Sequence, residues 1–153
     1  MKKFYFLFTL IFLFSCKQLE LLEEDSYYVE GTLNGTQYKF TRLTEGKYVS
    51  VGNITRIQAY DSESDKNWLI TFPGNTTGYF ENQSTLTIQF RIATGTYYTG
   101  NGQLNVTKYE NVGGIIEGTF VSTNAKYYLN GVEQPGVYQI FNGSFRVKRI
   151  DNL

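Results

Sequence analysis

The chain has 153 residues, of which 41% are hydrophobic and 18% charged, which is enough for one domain with its own core and excludes a disordered chain. Basic and acidic residues number 14 each, with no basic stripe, which argues against nucleic-acid binding. One Cys and no His exclude an intramolecular disulfide and any site that needs imidazole.

Residues 1–15 are predicted to form a cleavable secretory signal. Lys2 and Lys3 give it a positive start, and residues 4–14 form an apolar run interrupted only by Thr9. A charged start followed by an apolar stretch of about 7–15 residues is typical of such signals. An uncleaved membrane span is the alternative, but it needs about 20 apolar residues. The signal is therefore the favoured interpretation.

The signal ends in the sequence Leu13-Phe14-Ser15-Cys16. This tetrapeptide resembles the lipobox of bacterial lipoproteins, which implies that Cys16 carries lipid and becomes the new N-terminus. Phe14 is bulkier than the commonest residue at its position, a departure that Bacteroidota lipoproteins tolerate. The alternative is a plain secreted protein with a stray Cys. Cys16 argues against it because it is the only Cys and stands where the apolar run ends.

Residues 16–26 are predicted to be the lipidated Cys followed by an acidic tether. Glu20, Glu23, Glu24 and Asp25 loosely resemble the surface-export signals that follow the lipidated Cys in the same bacteria. A solvated spacer explains these acids equally well. We therefore expect a lipid-anchored protein of the cell envelope, at the outer membrane, and leave open which side of that membrane it faces.

Residues 27–153 are predicted to form one all-β domain, because aromatic residues are abundant and turn signals separate alternating runs. Asn34-Gly35 and Asn142-Gly143 each predict the turn of a β-hairpin. Residues 68–72 are nearly all apolar, which indicates a strand buried on both faces. Residues 86–92 alternate, so Phe90 is expected in the core. The expected architecture is an antiparallel sandwich or barrel of roughly eight to ten strands.

Several short motifs of this domain occur in a familiar order. They are Gly31–Gly35, Gly102–Tyr109, Ile116–Phe120 and Asn142–Phe145. Together they resemble a family of uncharacterised Bacteroidota lipoproteins in which a G-x-I-x-I-T strand precedes an I-x-G-T-F strand. Leu104 and Val106 stand at the Ile positions of the first motif. The resemblance covers nearly the whole domain and implies an all-β envelope domain, and it provides no catalytic residue.

The residues also give no arrangement typical of an enzyme or of a cofactor site. His is absent, Cys16 is assigned to lipid, and the acidic residues are scattered among turns. Glu117 is interpreted as a solvent-facing residue of a strand. The stretch Asp61–Asn67 offers oxygen ligands for calcium, but Lys66 and Phe72 stand where a calcium loop needs Gly and Glu. A polar turn is the preferred interpretation, and we expect no metal, no cofactor and no catalysis.

Four tyrosines in turn-rich stretches form the predicted ligand surface: Tyr97, Tyr98, Tyr127 and Tyr128. Neighbouring residues of a strand point to opposite faces, so one ring of each pair is expected to point outward. The expected partner is a glycan or another envelope protein. The predicted function is binding or structure at the cell envelope. The alternative is a carbohydrate-binding surface lipoprotein of a glycan-uptake system, which the Tyr, Trp68 and Asn content suits.

Overall fold

The structure of the protein is a computed structural model that describes residues 26–61 and 63–152. The predicted signal at residues 1–15, the lipidation site at Cys16 and the acidic residues of the tether lie outside the described residues. No helix within the described ranges is both long enough and apolar enough to cross a membrane.

The described residues form eleven strands and one short 3-10 turn, which confirms the all-β class. The strands are β1 Tyr28–Leu33, β2 Thr36–Phe40, β3 Arg42–Val49, β4 Ile54–Tyr60, β5 Asn67–Pro73, β6 Gly78–Glu81, β7 Thr87–Ala93, β8 Thr96–Gly100, β9 Gln103–Tyr109, β10 Ile115–Leu129 and β11 Val132–Arg149, and the 3-10 turn is Ser50–Gly52.

One sheet contains all eleven strands, in the order β2-β1-β11-β3-β4-β5-β7-β8-β10-β9-β6. An additional pairing of β11 with β10 closes the strands from β11 to β10 into a ring. The neighbours are antiparallel except β11 and β3, which pair in parallel through Lys148↔Glu45 and Arg149↔Gly46. The expected antiparallel order therefore holds apart from this short contact, which joins β11 to β3.

The core lies inside the ring and is centred on the fully buried Trp68. Its indole contacts Phe90 at 4.5 Å, Phe120 at 5.2 Å and Phe141 at 5.4 Å between ring centroids. These three rings come from β7, β10 and β11, and each is at most 1% exposed. Aromatic pairs at such separations add to the free energy gained by burial alone. The burial of Phe90 confirms the prediction from the alternating run.

The prediction that β5 is buried on both faces is wrong. Trp68, Ile70 and Phe72 are fully buried, whereas Leu69 and Thr71 between them are partly exposed. A sheet that closes on itself has one inner and one outer face, and β5 lies within the ring between β4 and β7. Its alternate residues therefore reach the outer face, even though the strand is nearly all apolar.

The two predicted Asn-Gly turns have different outcomes. Asn34-Gly35 joins β1 to β2, and its φ angles of 52° and 78° suit a two-residue hairpin turn. Asn142-Gly143 is not a turn, because both residues lie inside β11. The hairpin that contains β11 turns instead at Asn130-Gly131, with φ angles of 50° and 79°.

Gly143 has a packing role that explains why a glycine stands inside a strand. A Cβ atom at this position would lie 2.1 Å from the carbonyl oxygen of Glu30 and 2.5 Å from the ring of Phe120. The same Cβ atom would lie 2.8 Å from the Cα atom of Gly31 on β1. The strand can therefore pass this crowded point only without a side chain.

Replacing Gly143 with Ala should lower the free energy of unfolding by about 1–3 kcal/mol, because the added methyl group meets backbone atoms that cannot move aside. Urea unfolding of the wild type and variant measures the difference. Gly52→Ala is the matched control, because the nearest atom to its Cβ is 3.5 Å away. Equal stability of the two variants would contradict the close approach of β1 and β10 to Gly143.

Candidate functional site

The four tyrosines of the predicted ligand surface lie together on two neighbouring strands. Tyr97 and Tyr98 on β8 stand opposite Tyr128 and Tyr127 on β10, respectively. The rings of Tyr97 and Tyr128 stack nearly parallel, with centroids 5.1 Å apart and an interplanar angle of 5°. The rings of Tyr98 and Tyr127 are 4.9 Å apart and tilted by 38°.

The two tyrosine pairs lie on opposite faces of the sheet. Tyr98 packs against the core and meets the buried Phe141 edge to face at 6.2 Å, which places Tyr98 and Tyr127 on the inner face. Burial raises the pKa of the Tyr98 phenol, and the nearby Tyr127 raises it further. Tyr97 and Tyr128 therefore lie on the outer face. All four residues are partly exposed.

Tyr97 and Tyr128 belong to an outer face that crosses four strands, β7, β8, β10 and β11. Two cross-strand rows make up this face, and directly opposed residues in such rows share a side of the sheet. The first row is Arg91, Tyr97, Tyr128 and Glu133, and the second is Gln89, Thr99, Lys126 and Tyr138. The outer face thus carries a third tyrosine, on β11.

Tyr138 is absent from the set of tyrosines predicted from the sequence. Its Gly136-x-Tyr138 spacing resembles that of core aromatics elsewhere in the chain, yet the side chain is 51% exposed. The signal that identifies it is alternation with Phe141, which is fully buried. Side chains alternate from Tyr138 to Phe141, and this places Tyr138 and Ile140 on the outer face.

Glu133 links two neighbouring side chains of the outer face. Its carboxylate lies 3.0 Å from Lys126 Nζ and accepts a hydrogen bond of 3.2 Å from the Tyr128 hydroxyl. The hydrogen bond from Lys126 lowers the pKa of Glu133, and the same contact raises the pKa of Lys126. Desolvation, followed by the contact with Glu133, raises the pKa of Tyr128. The lysine charge is therefore balanced within the protein, and the Tyr128 ring is held in place.

A cleft of about 440 Å³ opens beside Tyr128 and Lys126. Its lining residues are Asn82, Thr87, Thr99, Gly100, Asn101, Gly102, Thr123, Asn124, Lys126 and Tyr128. Of these described residues, Lys126 alone is charged, and most of the others present an amide or a hydroxyl group. Such groups both donate and accept hydrogen bonds, and Tyr128 adds an aromatic ring at the edge.

The cleft exists because β10 changes its partner along its length. The strand pairs with β9 as far as Val121↔Gln103 and with β8 from Lys126↔Thr99 onward. The connection between β8 and β9 crosses this gap, where the Ser122 hydroxyl donates a 2.6 Å hydrogen bond to the carbonyl of Asn101. Gly102 permits the crossing, because a Cβ there would lie 1.9 Å from the Val121 carbonyl oxygen.

Two carboxylates of the Asp61–Asn67 loop, those of Asp61 and Asp65, accept hydrogen bonds from within the protein. Asp61 accepts from the Ser64 hydroxyl at 2.7 Å and from the Glu63 amide at 3.1 Å, and these bonds lower the pKa of Asp61. Asp65 accepts a 2.8 Å bond from Thr94. Within residues 26–61 and 63–152, no group of three or more His, Cys, Asp or Glu residues has the arrangement of a metal site.

Two other residues singled out in the sequence lie away from the cleft. Glu117 forms an ion pair of 2.8 Å with Arg146 across β10 and β11, and both side chains are more than a third exposed. Trp68 is fully buried and is not available to a ligand, so it does not contribute to carbohydrate binding. The aromatic contribution to a binding surface therefore comes from tyrosines.

Comparisons with protein-family models, with curated proteins and with solved structures find no significant match for the chain. The resemblance to Bacteroidota lipoproteins therefore stays a prediction from its motifs.

The inner and outer tyrosine pairs should lose different amounts of stability when a ring is removed. Tyr98→Ala should lower the free energy of unfolding by about 2–3 kcal/mol, because it removes a ring packed on the core. Tyr97→Ala should cost about 1 kcal/mol, the typical contribution of one aromatic pair. Chemical denaturation of both variants measures this contrast. A larger loss for Tyr97→Ala than for Tyr98→Ala would show that the faces are assigned the wrong way round.

Proposed function

We propose that the chain is a protein of the cell envelope, anchored to the outer membrane by lipid on Cys16, and that its β domain acts by binding and not by catalysis. The observation that carries the binding proposal is the meeting of Tyr97 and Tyr128 on the outer face, beside the polar cleft. The cleft beside Tyr128 thus supports the ligand surface predicted from the sequence.

The anchor is supported by the order of the sequence features. A positive start, an apolar run and a lone Cys at its end are followed by an acidic stretch before β1 begins at Tyr28. Residues 17–27 could extend over at most about 40 Å. Two or more acyl chains hold a protein to a membrane stably, whereas a single chain holds it only marginally. Lipidation of Cys16 would therefore keep the domain close to the membrane surface.

The binding role is supported by the groups that line the cleft. Its described lining residues include no carboxylate, so they offer no acid and base pair for hydrolysis. The one charged side chain, Lys126, is held by Glu133 at 3.0 Å. Amides, hydroxyls and a tyrosine ring can bind a polar ligand, and the surrounding sheet holds them in fixed positions.

A carbohydrate is the second, more specific candidate for the ligand. A sugar presents hydroxyl groups at its edge and an apolar surface on its ring faces, so it needs hydrogen-bonding groups beside an aromatic ring. Asn101, Asn124 and Thr87 supply the first, and the outer pair of Tyr97 and Tyr128 supplies the second. This combination favours the glycan-uptake alternative over a purely structural role.

Replacing Cys16 with Ala should abolish fatty-acid labelling and move the protein from the membrane fraction to the soluble fraction, because no other thiol can take lipid. Metabolic labelling with a radioactive or alkyne-bearing fatty acid, followed by fractionation, measures both effects. Ser15→Ala keeps a small residue before the Cys and is the control that should still be labelled. Continued labelling of the Cys16→Ala variant would exclude the proposed anchor.

Tyr128→Ala should reduce glycan binding at least about tenfold, because it removes the ring at the edge of the cleft. A glycan array with the purified wild type and variant identifies the glycan that binds and measures how much binding the variant loses. Tyr60→Ala is the control, since Tyr60 is 37% exposed on β4, three strands from β8 in the sheet. Thermal unfolding of both variants checks that they remain folded.

An array on which the wild type binds no glycan would exclude the carbohydrate candidate and leave the general binding role without a ligand. Equal losses of glycan binding in the Tyr128→Ala and Tyr60→Ala variants would place the binding site elsewhere on the domain.

A further inference from the structure

The first half of β11 exposes an unusual amount of apolar surface. Val132, Val137, Tyr138 and Ile140 are 63%, 38%, 51% and 60% exposed. Among the described strands, β10 alone pairs with this half of β11, since β1 joins only at Phe141. Exposed apolar surface beside a polar cleft is typical of an interaction site.

Addition of another strand to this free edge is not the favoured explanation. The register between β10 and β11 shifts between Lys126↔Tyr138 and Tyr127↔Gln134, so residues 135–137 bulge out of the ladder. The bulge contains Pro135, which has no amide hydrogen to donate, and Gly136 with a φ of 77°. A bulge with proline is a common device that protects an edge against pairing. The exposed side chains of Tyr138 and Ile140 are therefore available on the outer face of the sheet and not for pairing at its edge.

Tyr138 and Ile140 continue the outer face in the direction away from the cleft. Tyr138 stands opposite Lys126, and Lys126 stands opposite Thr99, so the three residues form one row across β11, β10 and β8. Adjacent strands lie about 4.8 Å apart, so this row spans about 10 Å. Thr99 and Lys126 also line the cleft. The cleft and the exposed half of β11 are therefore parts of one continuous surface.

We infer that this surface binds an extended, uncharged oligosaccharide, with one part of the chain in the cleft and another part over Tyr138 and Ile140. The inference rests on the proposed carbohydrate-binding function and specifies the length and charge of its ligand. An uncharged chain fits because Glu133 already balances Lys126, the one charged residue of the cleft. A chain longer than one sugar fits because hydrogen-bonding groups line one end and apolar side chains the other.

The test uses the full-length protein, purified in detergent, with neutral oligosaccharides of cellulose, starch, xylan and mannan. Each series runs from disaccharide to hexasaccharide, and isothermal titration calorimetry measures affinity. In the series that binds, the hexasaccharide should bind at least about tenfold more tightly than the disaccharide. Tyr138→Ala should remove this gain and leave disaccharide affinity unchanged, whereas Tyr128→Ala should weaken both ligands.

Tyr138→Phe keeps the ring and should keep the tighter binding of the hexasaccharide. Tyr60→Ala should change the affinity for neither ligand. Because Tyr138 is half exposed, its truncation should leave thermal unfolding nearly unchanged. Binding that does not depend on chain length, or a gain that survives Tyr138→Ala, would overturn this inference while the carbohydrate function stands. Failure of all four series to bind would overturn both.

Discussion

β10 and β11 pair from Leu129↔Val132 beside the Asn130-Gly131 turn to Ile115↔Lys148 at the other end of the sheet. No other pair of described strands is as long, so each of the two takes two partners on its far side. β10 pairs with β9 and then β8, and β11 pairs with β1 and then β3. These exchanges close the ring, open the cleft and leave the first half of β11 uncovered. The candidate site therefore follows from the length of one hairpin.

The same register determines both the core and the outer face. Because side chains alternate along a strand, the pairing of β8 with β10 sends Tyr98 and Tyr127 inward and Tyr97 and Tyr128 outward. A shift of the register by one residue would move each tyrosine pair to the opposite face of the sheet and bury the outer pair. Contact with Phe141 on the inner side therefore helps to hold the outer rings in position. The positions of the inner and outer tyrosine pairs are thus coupled through the backbone of β8 and β10.

Local patterns in the sequence predicted what depends on local structure. The alternation that contains Phe90 and the turn at Asn34-Gly35 are confirmed, since both depend on neighbouring residues alone. The hairpin turn predicted at Asn142-Gly143 is wrong, because an Asn-Gly dipeptide can form a turn in one place and permit close packing of strands in another. The ligand surface at the four tyrosines stays a prediction, and local patterns did not reveal their pairing across β8 and β10 or the third ring on β11. The cleft could not be predicted, because it arises where a strand changes partner between segments distant in sequence.

The start of β1 and the outer face lie toward opposite ends of the β10–β11 hairpin. β1 starts with Tyr28 opposite Arg146, so the described part of the chain begins near the end of β11 that is farthest from the Asn130-Gly131 turn. Glu133, which belongs to the outer face, pairs with Tyr128 next to the Leu129↔Val132 pair beside the turn. At about 3.3 Å per residue, the rungs that separate Arg146 from Glu133 cover about 30 Å. A lipid on Cys16 would thus hold the end near Tyr28 close to the membrane and leave the tyrosine face accessible to ligands from solution.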